Sequence, residues 1–258
     1  MELKDKVALV TGGASGLGLA ASEELIKQGC RVCLFDMNRE AGAAAVEQLG
    51  RGNAIFVEVN VTDEVSVENG IQQCLKHFGE IHVVLNCAGI GPPEKAIDRE
   101  GNVLPLDRFK RIVDVNLFGT FNVLSKAAGV MSKQAEVNED HGRGVIINVA
   151  SVAAFDGQIG QPAYAASKAG IVGMALPLAR EFARYGIRVN TIAPGLFLTP
   201  LAESLGESVI EALGSAVEYP KRLGQPKEFG QMVVAIAQND YLNGEVIRLD
   251  GAIRMAAK

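Results

Sequence analysis

Three residues between positions 151 and 168 can do chemistry together: Ser151, Tyr164 and Lys168. Tyr164 and Lys168 are four apart, so on a helix they share one face, one turn from each other. A phenol titrates near pH ~10 and is a poor base at neutral pH unless a fixed positive charge stabilises its phenolate. Lys168 is placed to supply that charge. Ser151 lies thirteen residues before Tyr164, across a stretch that holds Gly157, Gly160 and Pro162. Such a loop can fold the serine back against the tyrosine.

The elements that must hold these residues read as alternating strands and helices. Residues 7–10 form a short apolar run that ends in Thr11-Gly12-Gly13-Ala14-Ser15-Gly16-Leu17-Gly18, and an apolar-periodic stretch follows to about residue 28. This is strand, glycine loop, helix. Without side chains, Gly12, Gly16 and Gly18 let the backbone turn tightly and come close to a pyrophosphate, whose charge the helix N-terminus stabilises. The next strand, 31–35, ends at Asp36, eighteen residues after Gly18. A carboxylate at the end of a second strand binds a ribose 2′-hydroxyl and repels a 2′-phosphate, which favours NAD over NADP. The competing reading of Asp36 is a helix N-cap, and Arg39 lies close enough to bear on the choice.

The pattern then repeats. Residues 54–59 read as a third strand, followed by Asn60-Val61-Thr62-Asp63 and a helix to about 78; residues 83–85 lead into Asn86-Cys87-Ala88-Gly89. Residues 145–149 deliver Ser151, residues 188–192 end in Ala193-Pro194-Gly195, and 246–249 form the last strand. Each strand ends in small or polar residues, which places the loops at the carboxyl edge of a parallel sheet, where ligands bind in such folds. The expected fold is α/β, a single-domain Rossmann-type doubly wound parallel sheet over residues 1–258, with about seven strands and helices on both faces.

Between these elements, residues 91–105, with Pro92-Pro93, read as a surface excursion at the site's rim, and 106–132 as one long helix. Asn116 lies inside that helix among Ile112, Val113, Val115, Leu117 and Phe118, and is expected to face inward. The polar run 134–143 reads as a solvated loop without a role. The helix that carries Tyr164 extends to about 185, with a kink or break expected at Pro177. In the segment 196–226, Leu201, Leu205, Val209, Leu213 and Val217 recur every fourth residue beside Ile210. This apolar stripe either packs on the domain or forms a lid over the cleft, flanked by Gly206 and Gly214.

Composition excludes several classes. A chain of 258 residues, 48% apolar, can bury a sizeable core. A net charge of −5 gives no basic footprint for a nucleic acid. No apolar run approaches the ~18 residues of a spanning helix, and strand-like sequence from Val7 leaves no room for a leader, so a cytoplasmic protein without a membrane partner is expected. Cys30, Cys33, Cys74 and Cys87 sit in apolar segments, which suits free thiols in a reducing compartment. Cys30 and Cys33 have a C-x-x-C spacing, but positions three apart on a strand face opposite ways. His77, His82 and His141 form no ligand spacing, and no metal is expected.

Taken together, Thr11-Gly12 with Gly16-x-Gly18, Asn86-Cys87-Ala88-Gly89, Asn116, Ser151, Tyr164-x-x-x-Lys168 and Pro194-Gly195 resemble the short-chain dehydrogenase/reductase superfamily over essentially the whole chain. The resemblance implies that Tyr164 is the general acid/base and that Ser151 bonds the substrate's reacting oxygen. Lys168 would lower the tyrosine pKa and bind the nicotinamide ribose, and Asn116 would hold a proton-relaying water. It implies cofactor contacts at Gly12, Ser15, Gly16, Leu17, Gly18, Asp36, Asn60, Val61, Asn86, Ala88, Gly89, Tyr164, Lys168, Pro194 and Gly195. Two departures stand out. Asn60 occupies a position usually held by an aspartate that accepts from the adenine amino group, a bond an amide oxygen can still make. Cys87 replaces a second asparagine.

The stretches 144–155, 192–197 and 242–255 resemble the branch of that superfamily that acts on 3-hydroxyacyl-CoA and hydroxysteroids. The implied function is NAD-dependent interconversion of a secondary alcohol and a ketone, with an acyl-CoA or apolar ketone as the small-molecule partner. Alternatives are acyl-carrier-protein thioesters, sugar alcohols, or a non-catalytic NAD-binding scaffold or sensor. Members are typically tetramers, so a homotetramer is implied, with residues 247–255 at an interface.

Overall fold

The computed structural model describes residues 1–200 and 206–257. Its frame is one parallel sheet of seven strands: β1 (Val7–Thr11), β2 (Arg31–Asp36), β3 (Ala54–Glu58), β4 (Val83–Asn86), β5 (Gly144–Val149), β6 (Ile187–Pro194) and β7 (Val246–Leu249). The order across the sheet is β3-β2-β1-β4-β5-β6-β7. The central strands are apolar at nearly every position because both faces of the sheet are covered. The chain order reverses at β1 and β4, which opens a crevice between their carboxyl ends.

Three helices cover one face: α1 (Gly16–Lys27), α2 (Arg39–Leu49) and α8 (Pro226–Gln238). Leu25, Leu49, Phe229 and Val233 pack there against Val10, Leu34, Leu85 and Ile147. The other face carries α3 (Glu64–Phe78), α5 (Gly119–Met131) and α6 (Pro162–Phe182), whose Ile71, Leu124 and Phe182 meet Leu9, Phe35, Val84 and Ile146. Cys30 belongs to the first cluster and Cys33 to the second, so the C-x-x-C spacing does split across the sheet. All four cysteines are free thiols.

Five local features differ from the sequence expectation. The helix expected over 106–132 consists of α4 (Leu106–Val113), a π-helical turn (Asp114–Phe118) and α5. The wider turn re-aims its residues, and Asn116 sits within it, fully buried. Pro177 does not break α6. Proline disturbs the carbonyl four residues earlier, here that of Gly173, and both residues are on the exposed side, where that carbonyl can turn to water.

The excursion 91–105 contains a small hairpin, with Ile97 opposite Val103 and a turn held by the Asp98 carboxylate, which accepts from the N–H groups of Glu100 and Asn102. The run 134–143 is anchored at the amino edge of the sheet. The Gln134 amide bonds both the N–H and the carbonyl of Ile81 at 2.7 Å, and Arg143 donates to the carbonyls of Gln134 and Tyr185. In the segment 196–226, helix α7 (Glu207–Ser215) starts after Gly206 and ends before Val217. Gly214 is thus inside the helix and buried against Arg222, so it does not flank the helix as a hinge. Leu201 and Leu205 lie outside the described residues.

At the amino edge, His82 is buried, and its Nδ1 accepts from the Val7 N–H at 3.1 Å. Burial pushes its pKa from 6.5 down to about 4. The folded chain therefore refuses a proton that the unfolded chain binds. Above pH ~6.5 neither state is protonated and nothing is lost; as pH falls from there towards 4, stability drops. In denaturant titrations at pH 7 and pH 4.5, His82→Gln should lose less stability over that interval than the parent protein. An equal loss would remove His82 as the source.

Candidate active site

The glycine loop is built from backbone laid on backbone. Gly12 has φ +61°, and a Cβ there would lie 3.0 Å from the main chain of Ala88. A Cβ on Gly18 would run into the Gly12 carbonyl, and one on Gly13 would lie 2.8 Å from the Leu34 side chain. Thr11 joins the two loops: its Oγ1 accepts from the N–H groups of Cys87 and Ala88, at 3.1 and 3.0 Å. Ser15 precedes α1 with an exposed hydroxyl that makes no capping bond, and Leu17 is half-buried in the first turn. The Thr199 methyl lies 4.0 Å from where a Cβ on Gly16 would be, so the chain after Pro194-Gly195 returns over this loop.

Asp36 ends β2 with its carboxylate turned towards the glycine loop, accepting from the Ala14 N–H at 3.3 Å and the Asn38 N–H at 3.1 Å. It is not the helix cap; Asn38 caps α2 by accepting from Ala41. Arg39 is paired with Glu58. Asn60 is held by its own turn. Its amide oxygen accepts from both the N–H and the hydroxyl of Thr62. Val61 is buried, and its carbonyl accepts from Asn122.

Asn86 also turns inward. Its Nδ2 donates to Asn148 Oδ1 at 2.9 Å, pinning β4 to β5 where the two strands end. Ala88 and Gly89 continue from it, and a Cβ on Gly89 would lie 3.1 Å from Asn116 Oδ1 and 3.4 Å from Lys168 Nζ. At the far side of the cleft, the Gly195 N–H donates to the Leu249 carbonyl, and Gly195 packs against Asp250 with no room for a Cβ.

Helix α6 opens with Pro162 at its start, and the first turns present Tyr164 and Lys168. Lys168 is buried, 4% exposed, with its ammonium donating to the Val149 carbonyl at 2.7 Å and lying 5.8 Å from the centre of the Tyr164 ring. Ser151 caps the short turn Val152–Ala154: its Oγ accepts from the Ala153 N–H, and the hydroxyl lies close enough to Tyr164 to draw the phenol's pKa down. The loop between them does fold the serine back on the tyrosine.

The electrostatics differ from the expectation that Lys168 lowers the tyrosine pKa. Burial raises the Tyr164 phenol above its ordinary value, outweighing the nearby Ser151 hydroxyl that draws it down. Burial also lowers Lys168, to about 8, which leaves it mostly charged at neutral pH. Cys87 shares the pocket. Burial pushes its thiol up to about 11, against a pull from Lys168, so it is neutral beside the tyrosine. Among the described residues, no cluster of His, Cys, Asp or Glu is placed to hold a metal, and no helix is long and apolar enough to cross a membrane.

The short chain dehydrogenase family matches residues 6–209. The chain is 52% identical over 254 residues to human 3-hydroxyacyl-CoA dehydrogenase type-2, covering 98% of this chain and 97% of the relative. It belongs to the short-chain dehydrogenases. A crystal structure of 3-hydroxyacyl-CoA dehydrogenase type-2 from Mycobacterium avium superposes with a TM-score of 0.93 at 38% identity and covers both chains completely. A 3-oxoacyl-[acyl-carrier-protein] reductase from Thermotoga maritima is 34% identical over 98% of this chain and 99% of its own. As a short-chain dehydrogenase the protein is an oxidoreductase that works with a nicotinamide cofactor. The bare Gly12 and Gly18 backbones, the unengaged Ser15 hydroxyl and the oriented Asp36 carboxylate fit such a group.

Within the short-chain dehydrogenase frame, three contributors escape a reading of the sequence alone. Thr11 ties two loops, Gly91 lets Tyr164 approach the main chain, and Ser167 bonds Asn116. Only Thr11 had a signal, its place at the strand end before the glycines. At Gly91 a Cβ would lie 3.0 Å from the Tyr164 ring. Gly91→Ala should therefore leave the fold intact, keep NADH affinity within about twofold and lower turnover about tenfold by displacing the ring. Unchanged turnover in a steady-state assay would show that the ring tolerates the methyl.

Proposed function

We propose that the protein is an NAD-dependent dehydrogenase that interconverts 3-hydroxyacyl-CoA and 3-oxoacyl-CoA. The observation that carries this reading is Ser151 set close enough to Tyr164 to draw its phenol's pKa down, with Lys168 buried one helical turn away, in a chain so similar to type-2 3-hydroxyacyl-CoA dehydrogenases. When bound, the nicotinamide takes the hydride from the alcohol carbon or returns it to the ketone.

The protein's own residues orient the substrate and handle one proton. Ser151 donates to the reacting oxygen and Tyr164 takes the hydroxyl proton, or gives it back in reduction. The raised phenol pKa suits the donating form; the nearby ammonium of Lys168 stabilises the phenolate when the proton is away. Lys168 and the main chain at Gly89 hold the nicotinamide side, and Gly12, Ser15, Gly16, Leu17 and Gly18 the pyrophosphate. Val61 lines the adenine side, and Pro194 and Gly195 close the far wall. Asn116 acts first by holding the loop at Ile90, and any relay through it starts from that fixed geometry.

Asp36 supports NAD over NADP, because its carboxylate faces the loop and the neighbouring Arg39 is engaged by Glu58. Helix α7, with Val209 exposed and Ile210 and Leu213 half-buried, supports an apolar cover for the cleft within 196–226. The free thiols suit the reducing cytoplasm. A homotetramer is expected from light scattering, with the half-buried edge strand β7 at one interface.

Following NADH absorbance, acetoacetyl-CoA should be reduced much faster than a steroid ketone or a sugar ketone; activity on the sugar alone would sink the reading. Tyr164→Phe should fold, bind NADH and lose about a hundredfold or more in turnover. Asp36→Ala should narrow the preference for NADH over NADPH by at least about tenfold, since a charged hydrogen bond is worth ~1.5–3 kcal/mol and 1.4 kcal/mol is tenfold. No change in that ratio would leave cofactor choice to other residues.

A further inference from the structure

We infer that Ser167 is a positioning residue for proton transfer, acting through Asn116. It rests on the assignment of Tyr164 as the acid/base. Ser167 is fully buried inside α6. Its Oγ donates to the Tyr164 carbonyl at 2.7 Å and accepts from Asn116 Nδ2 at 3.0 Å. Asn116 in turn holds one peptide from both sides: Nδ2 donates to the Ile90 carbonyl at 2.9 Å, and Oδ1 accepts from the Ile90 N–H at 2.8 Å.

The chain of bonds therefore runs from Ile90, in the loop after β4, through the π-helical turn to the first turns of α6. Ile90 is flanked by the two glycines that touch the chemistry. Gly89 lies beside Lys168 Nζ and Gly91 beneath the Tyr164 ring. The position of this strip of backbone fixes the space between the two side chains, and Asn116 fixes the strip.

Two of the three bonds that orient the Asn116 amide go to Ile90, which belongs to the loop being held. Ser167 supplies the third, from a rigid helix. A serine inside a helix that bonds back to an earlier carbonyl is neutral or slightly unfavourable for the helix, and alanine is the better helix former. The hydroxyl thus gains nothing for α6 itself. Its second role, accepting from a buried amide whose proton has no other partner, is the one that matters.

The test is a double-mutant cycle on the full-length enzyme, with NADH and acetoacetyl-CoA. Ser167→Ala should lower kcat about tenfold to a hundredfold while KM for NADH stays within about twofold, and Ser167→Cys, whose sulfur is a weak donor and acceptor, should fall between it and the parent. In an Asn116→Ala background, Ser167→Ala should change kcat no further, because the bond to Asn116, through which it acts, is already gone and the Tyr164 carbonyl lies within the helix's own ladder. Multiplying effects, or a kcat within about twofold of the parent in Ser167→Ala, overturn the inference. Should the alanine variant not fold, the cysteine variant runs the same cycle. Tyr164→Phe is the control: if it stays active, the underlying assignment fails, whereas an inactive Tyr164→Phe with multiplying Ser167 and Asn116 effects rejects Ser167 alone.

Discussion

An ammonium group taken out of water must find an acceptor, and Lys168 finds the carbonyl of Val149. That single bond ties the catalytic helix to the end of β5, two residues before Ser151. It also decides where the positive charge stands: 5.8 Å from the centre of the Tyr164 ring and beside Gly89, with no carboxylate among the described residues paired to it. Burial weakens the hold of Lys168 on its own proton and, in the same pocket, strengthens that of Tyr164. Both shifts have one cause, the loss of solvent around α6.

The rest of the sheet's carboxyl edge is arranged around that fixed point. Asn86 clamps β4 to β5, Thr11 clamps β1 to the loop that follows β4, and Asp36 reaches from β2 to the glycine loop. Each clamp joins neighbouring strands in the order observed across the sheet. Their common effect is to set loop positions from the most buried part of the molecule.

Much of this was legible in the sequence because apolar runs, glycines and a four-residue spacing are local signals. Strands β1 to β7 followed from runs such as Val145 to Val149, and Tyr164 and Lys168 shared a helical face as their spacing requires. What was not legible depends on partners distant in sequence. Nothing in Asp114-Val-Asn-Leu-Phe118 marks a π-helical turn, whose Leu117 packs against Gly170 of α6, far away in sequence. Asn60 can accept bonds from an adenine or from Thr62 equally well by composition, and only the folded turn shows that Thr62 has them. The direction of the Tyr164 shift likewise needed the burial of its surroundings, which a spacing argument omits. Pro177 kept its helix because its i−4 partner is an exposed glycine, a circumstance visible only once the solvent side of α6 is known.

The stacking of Gly12 on Ala88, and of Gly91 under the Tyr164 ring, has a consequence in the currency of chain entropy. Glycine gives up more conformational freedom than any other residue when it is fixed, and here it does so when the protein folds. At these two places the wall of the cleft is main chain, which has no rotamers left to freeze. Ordering of these stretches is complete when the protein folds, so association spends no further conformational freedom there.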